Sequence, residues 1–160
     1  MDNYYLGLDC SSKAIHGVII DDMGKLCGIH KWVSKLPTFD ERFPVFLRNF
    51  CDDLGIIKNT FPNIQVAIEA PIFIQNPKTT MQIAAVVYTA QFICSWWDVE
   101  YASIQNKSWK KYALEKGNAS KQEIFGFANI FWKDAFKEQD HADAACIALW
   151  GRFNYLGEDI

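Results

Sequence analysis

The segment Tyr4–Asp9, reading YYLGLD, is apolar at almost every position before it ends in an acid. A strand without a polar face has no side to give to water, so it belongs at the centre of a sheet covered on both faces. Cys10-Ser11-Ser12 then reads as a turn, Ile15–Ile20 (IHGVII) as a second strand and Leu26–Val33 as a third. Asp21-Asp22-Met23-Gly24 is a hairpin connection in which Gly24 supplies a positive φ. Two hairpins in succession predict a three-stranded antiparallel meander.

The rest of the chain alternates between helix and strand. Phe43, Phe46, Leu47, Phe50 and Leu54 recur at helical spacing and predict an amphipathic helix over Phe39–Ile57. A loop over Asn59–Asn63 leads to a fourth strand, Ile64–Glu69 (IQVAIE), which Ala70-Pro71 cuts off. The intervening helix permits a parallel crossover. Further helices are expected over Pro77–Trp97, Asn106–Glu115, Ser120–Lys137 and Asp140–Tyr155, with a short fifth strand over Val99–Ile104. The expected fold is therefore α/β: a mixed five-stranded sheet, three antiparallel strands and then parallel additions, flanked by helices. With 160 residues, half of them hydrophobic, and no repeat or long linker, the chain reads as one domain over residues 1–160.

Charge and cysteine usage exclude several classes. A formal net charge of -3 excludes a globally basic DNA coat, and 50% hydrophobic residues exclude a disordered polyelectrolyte. A local basic patch remains compatible with nucleic-acid binding. The five cysteines (Cys10, Cys27, Cys51, Cys94 and Cys146) form no CxxC pair, which argues against a disulfide framework or a zinc site and for a reducing compartment. The N-terminus MDNYYLGLDCSS has no basic n-region and is not read as a signal peptide. Met81–Trp97 is the most membrane-like stretch, but it is short for a span and holds Gln82, Thr89, Gln91 and Ser95. A soluble, cytoplasmic protein is the expectation.

Four carboxylates stand out against this apolar background. Asp9 ends the first strand and Glu69 ends the fourth, at the strand carboxyl ends where ligands gather in open α/β sheets. Asp140 and Asp143 lie three apart at a helix start and so share a face. Each has an ordinary reading as a turn residue, an ion-pair partner or, for Asp140, an N-cap. Their shared setting in LGLD, VAIEAP and DHADAACIALW points instead to acids placed beside core, which need a compensating partner. A divalent cation with hard-oxygen preference fits, Mg²⁺ first. Two such ions about 3.5–4 Å apart activate a water and stabilise the leaving oxygen in phosphodiester hydrolysis.

The blocks LGLDCSSKAIHGVII, VAIEAP, WKKYALEKGNASKQEI and DHADAACIALW, in this order, resemble the RuvC family of Holliday-junction resolvases, of the RNase H-like (retroviral integrase) superfamily. The resemblance runs from about Leu6 to Trp150. It implies an RNase H-like fold, catalytic and metal-binding roles for Asp9, Glu69, Asp140 and Asp143, and DNA-contacting roles for Lys110 and Lys121. It also implies hydrolysis that leaves 5′-phosphate and 3′-hydroxyl ends, with Mn²⁺ able to substitute for Mg²⁺. Where the family usually has Pro-Gly after the first aspartate this chain has Cys10-Ser11-Ser12, a turn similar to that of phage-type members. Pro71 after Glu69 is a second departure, which bears on the loop that probes the junction.

Between Ser103 and Gln122 five lysines (Lys107, Lys110, Lys111, Lys116 and Lys121) face a single acid, Glu115, with Trp109 and Tyr112 interleaved. Beside an acidic site, such a patch holds the phosphates of nucleic acid. The Gly117–Ser120 run is a helix stop followed by an N-cap rather than a phosphate cradle. Phe73, in the apolar loop after Glu69, is a candidate wedge between bases, the alternative being plain packing. His141 either orients a water or stands idle, and the idle reading is preferred. The Pro77–Trp97 helix is apolar on too many faces for a surface helix, so it is either sandwiched in the core or paired with another subunit. The resemblance points to a homodimer through it.

The sequence thus predicts a metal-dependent, structure-selective endonuclease on four-way or other branched DNA, in a phage or bacterial cell interior. The alternatives are an RNase H-type nuclease on RNA–DNA hybrids, a non-catalytic junction-binding module and, more remotely, an actin-like ATPase.

Overall fold

The computed structural model describes residues 2–156. Among these the elements run β1 (Tyr4–Cys10), β2 (Ala14–Asp21), β3 (Leu26–Val33), α1 (Phe39–Thr60), β4 (Ile64–Glu69), α2 (Pro77–Trp96), β5 (Tyr101–Ile104), α3 (Asn106–Leu114), α4 (Lys121–Phe131) and α5 (Gln139–Leu156). The strands form one sheet in the order β3-β2-β1-β4-β5. The β1–β2 and β2–β3 pairs are antiparallel, and β1–β4 and β4–β5 are parallel. This is the mixed five-stranded α/β sheet that the sequence predicts.

β1 is central, and Tyr5, Leu6, Gly7 and Leu8 are all buried. Period-2 alternation divides the strands between two cores. Leu6 and Leu8 join Ile15, Ile19, Val66 and Ile68 under α1 and α2. Tyr5 joins Val18, Ile20 and Ala67 under α3, α4 and α5. Asp9 and Glu69 follow Tyr5 and Ala67 in that alternation, so both acids belong to the α5 side of the sheet.

α5 approaches β1 unusually closely because neither presents bulk. A Cβ built on Gly7 would lie 2.0 Å from the carbonyl oxygen of Ala144 and 2.4 Å from the nitrogen of Ala148. Glycine is the one residue that admits this backbone contact. Farther along the same helix, a Cβ on Gly151 would sit 3.0 Å from that of Ala67 on β4. Ala144, Ala148 and Gly151 recur at helical spacing, so a strip of small residues lays α5 across the two strands that end in acid.

Several boundaries differ from the sequence expectation, each for a local reason. α1 runs on to Thr60, and Phe61 closes it by donating its N–H to the carbonyl of Ile57 (2.8 Å), so Asn59 lies within the helix. Its start is fixed by a capping box between Thr38 and Glu41. β5 begins at Tyr101 rather than Val99, because Val99 donates its N–H to Cys94 at the end of α2 (2.9 Å). α3 ends at Leu114, where the left-handed Glu115 (φ 57) caps it, within one residue of the expected end at Glu115.

α4 ends at Phe131, not Lys137. There the Trp132 indole turns away to donate to the carbonyl of Gly24 (2.9 Å), and Lys133 and Asp134 adopt positive φ. Asn129 ties the turn together, accepting from Phe136 N at 2.9 Å through its side chain and from Asp134 N at 2.7 Å through its carbonyl. α5 starts at Gln139, so Asp140 lies inside the first turn rather than capping it. Gly24 has the positive φ (76°) that the hairpin requires. Among the described residues no helix is long and apolar enough to cross a membrane.

Candidate active site

Three of the four predicted carboxylates converge. Asp9 from β1 and Asp140 and Asp143 from the first turns of α5 each offer an oxygen within 4.8 Å of the others. β1 supplies Asp9 at the exit of a buried strand, and the Gly7 contact with α5 sets how near the two helical acids come. Glu69, at the end of β4, is not part of this close trio. Its register beside β1, with Leu8 opposite Ile68, nevertheless places it on the neighbouring strand end.

Burial and mutual repulsion dominate the electrostatics of these acids. Burial, and then Asp143, Glu69 and Asp140, hold the Asp9 carboxyl well above the usual carboxylate range against the pull of Lys121. Burial raises Glu69 as well, with the Asn106 and Trp109 hydrogen bonds opposing it. Burial also raises Asp143, opposed by its bond from Gln139 Nε2 (2.9 Å) and aggravated by Asp140. Among the described residues no lysine or arginine nitrogen comes within 4.0 Å of any of the four. Hard oxygen donors that repel one another, and that no lysine or arginine contacts directly, suit a divalent ion such as Mg²⁺ or Mn²⁺. The residues present therefore fit the metal that the sequence calls for.

Glu69 is buried, and each of its oxygens accepts one hydrogen bond from a neutral donor. Asn106 Nδ2 donates to its Oε1 at 2.8 Å and Trp109 Nε1 to its Oε2 at 3.2 Å. Sequence reasoning missed both donors and read Trp109 as a surface aromatic of the basic patch. The indole is instead fully buried, and Tyr112 is half-buried against Phe153, with ring centroids 4.8 Å apart. A signal for Asn106 existed: β5 pairs with β4 in parallel, and the residue two past its end starts a helix beside Glu69.

His16 is a third residue that sequence reasoning passed over. It lies opposite Asp9 in the β1–β2 register. Its Nε2 is 3.2 Å from Glu138 Oε2, its Nδ1 is 3.8 Å from Asp140 Oδ2, and Lys31 Nζ pairs with Glu138 at 2.8 Å. Burial pushes the His16 imidazole below its ordinary value, with Asp140 opposing. His141 donates its Nε2–H to the carbonyl of His30 (2.9 Å) and packs edge-on against His16.

The basic patch is less uniform than its sequence. Lys107 and Lys111 are exposed on α3. Lys110 is half-buried, its Nζ 5.6 Å from the centre of the Trp109 ring, and its charge lowers both Glu69 and Asp143. Lys121, the first residue of α4, acts on Asp9 and Asp143. Lys116 is the exception: it pairs with Glu123 at 2.7 Å, which holds that carboxyl at about 2. Glu123 is also the capping-box partner of Ser120, so Lys116 is tied to the start of α4.

Two apolar features flank the acids. Phe73 stands 79% exposed in the loop after Glu69, and a recess of about 120 Å³ lies between that loop, Asp9 and α2, with Ile74, Ile83 and Val87 on its apolar wall. On α2, Met81, Tyr88, Phe92 and Trp96 are exposed along one helical stripe. Trp97 turns the other way and donates its indole N–H to the carbonyl of Cys51 (2.8 Å).

No family model and no curated protein matches this sequence. Solved structures do match the fold. A Thermus thermophilus RuvC in complex with Holliday junction substrate aligns with a TM-score of 0.77 over 95% of this chain and 96% of that one, at 14% identity. A second Thermus thermophilus RuvC structure gives 0.75 over 96% of each chain, again at 14% identity. The yeast mitochondrial Holliday junction resolvase Ydc2 gives 0.56 over 98% of this chain and 84% of that one, at 15% identity. The chain therefore has the RuvC-type, RNase H-like fold that its sequence blocks imply.

Proposed function

We propose that this chain is a divalent-metal-dependent endonuclease that resolves Holliday junctions or cuts other branched DNA. The observation that carries the reading is the Asp9–Asp140–Asp143 trio: three carboxylates within 4.8 Å at the carboxyl end of the sheet, unpaired with any lysine or arginine among the described residues. The same fold in a RuvC bound to Holliday junction substrate supports the choice of branched DNA.

In this reading Asp9, Glu69, Asp140 and Asp143 hold Mg²⁺, two ions in all, with Mn²⁺ as a substitute. A divalent metal held there would supply Lewis-acid activation of a water for attack on the phosphodiester and stabilisation of the leaving oxygen. Asp9 would hold the metal together with both α5 acids, which come within 4.8 Å of it. Gln139 fixes the rotamer of Asp143. Lys107, Lys110, Lys111 and Lys121 hold DNA phosphates, Lys110 and Lys121 nearest the acids, while Lys116 contributes less because Glu123 occupies it. Phe73 enters the stack at the branch, where an exposed ring gains the burial it lacks in the free protein.

A four-way junction is roughly two-fold symmetric, and a C2 dimer presents two sites to opposing strands. The exposed stripe Met81, Tyr88, Phe92 and Trp96 on α2 is the face proposed for a second copy.

The substrate class is tested by incubating labelled four-way junction, fork, flap, plain duplex and RNA–DNA hybrid with the protein in Mg²⁺ or EDTA. Nicks confined to branched DNA and abolished by EDTA are expected. Faster cutting of the hybrid overturns the reading in favour of an RNase H-type enzyme. Junction binding without cutting, in both Mg²⁺ and Mn²⁺, overturns it in favour of a non-catalytic module.

A further inference from the structure

We infer that Asn106 and Trp109 are positioning residues of the metal centre: together they hold both oxygens of Glu69, so the helix that carries the basic patch also sets one of the cation's ligands. The inference rests on the reading of Glu69 as a ligand given above.

A carboxylate as buried as Glu69 needs donors, and the chemistry of the donors chosen here is informative. A lysine would orient the group but would also neutralise it and compete with a cation. Lys110 is near enough to feel Glu69, yet its Nζ sits over the Trp109 ring rather than on the carboxylate. The two bonds come instead from an amide and an indole, which fix the direction of the carboxylate and leave its charge in place. Each oxygen keeps a further lone pair for a cation, since a carboxylate accepts at about four sites.

The donors are themselves rigid. Trp109 is fully buried in the core shared with α5, and an indole offers a single N–H in one direction. Asn106 and Trp109 are three apart and lie on one face of α3. That face is aimed by the β4–β5 pairing, which sets Glu69 opposite Ile104, two residues before α3 begins. Ligand carboxylates held in this way lose metal affinity or activity by about 10–100-fold when the supporting bond is removed.

The test measures Mn²⁺ binding by titration calorimetry on the full chain without DNA, so that it does not depend on cutting. Wild type, Trp109→Phe, Asn106→Ala and Glu69→Gln are compared, together with each of the first two substitutions in the Glu69→Gln background. Trp109→Phe keeps an aromatic ring and removes only the donor, and Asn106→Ala, at the half-buried first residue of α3, serves if the first variant fails to fold. Each single substitution is expected to weaken Mn²⁺ binding by about 10–100-fold. In the Glu69→Gln background neither is expected to weaken it further, because both act through that carboxylate.

Unchanged Mn²⁺ affinity in both variants overturns the inference. So does a loss of the same size whether or not Glu69 is intact, since that places the effect in the fold and not in the ligand. A wild-type protein that binds Mn²⁺ with the predicted dependence on Trp109 but cuts no branched DNA overturns the nuclease reading and upholds this one.

Discussion

Replacing Gly7 with alanine inserts one methyl where β1 and α5 touch, and the structure allows its effect to be estimated. The new Cβ would lie 2.0 Å from the carbonyl oxygen of Ala144, and ordinary contact begins at 3.4 Å, so α5 has to retreat by about 1.4 Å. All three obstructing atoms, Ala144 O, Ala148 N and Ala148 Cα, are backbone, so no side chain can rotate out of the way. Overpacking of this kind costs about 1–3 kcal/mol, and the backbone clash puts Gly7→Ala at the upper end. For a chain of this size, about 3 kcal/mol lowers Tm by roughly 6–12 °C. The same retreat carries Asp140 and Asp143 away from Asp9, and a misplacement of about 1 Å costs on the order of 10²-fold in catalysis. Thermal melting and Mn²⁺ titration read the two consequences separately. Gly126→Ala is the control: nothing lies within 4 Å of a Cβ there, and in the middle of α4 the change stabilises by about 0.5–1 kcal/mol. A Gly7→Ala protein that melts with the wild type and binds Mn²⁺ equally well refutes the claim that this contact aligns the acids.

Asp9→Asn raises the Tm of the metal-free protein at alkaline pH, and the gain shrinks as pH falls into the carboxylate range. The sign follows from the raised folded-state pKa of Asp9: the native state holds the proton more tightly, so stability is present below the ordinary value of 3.8 and lost as pH rises through the raised one. His16 and His30, both pushed down by burial, act in the opposite sense as pH falls below 6.5, which is why the difference between wild type and variant is the quantity to follow. Lys107→Gln weakens junction binding uniformly across sequences and reduces the slope of log K against log salt by about 1, measured by fluorescence anisotropy in EDTA. Phe92→Glu, which puts a charge in the exposed stripe of α2, converts a dimer to a monomer in sedimentation equilibrium. A wild-type protein that is already monomeric at micromolar concentration contradicts that prediction.

The sheet was readable from the sequence because its signals are local. The all-apolar β1, the glycine turn at Gly24 and the Pro71 stop after Glu69 each act within a few residues. The strand limits put Asp9 and Glu69 at carboxyl ends, whereas their shared face follows from the register of β1 beside β4. The limits of α4 were not readable, since they depend on Trp132 reaching the carbonyl of Gly24 and on Asn129 gathering the turn, contacts set by tertiary structure. The same holds within the site. Asp140 and Asp143 were legible as a helical pair, but a Trp set among lysines looks like a surface aromatic until β5 is seen to aim α3 at Glu69. Lys116 reads as part of the basic patch because its partner, Glu123, lies just beyond that stretch of sequence. The smallness of Gly7, Ala144 and Ala148 acquires its meaning only once strand and helix are seen back to back.

The central claim, that the converging carboxylates cut branched DNA, is tested most directly by single-turnover cleavage of one labelled four-way junction in Mg²⁺. Wild type, Asp9→Asn and Asp143→Asn are compared at protein concentrations that saturate binding. The account predicts paired, symmetric nicks from the wild type and their loss in both variants while junction binding persists. Full cutting by Asp9→Asn with wild-type binding would contradict it.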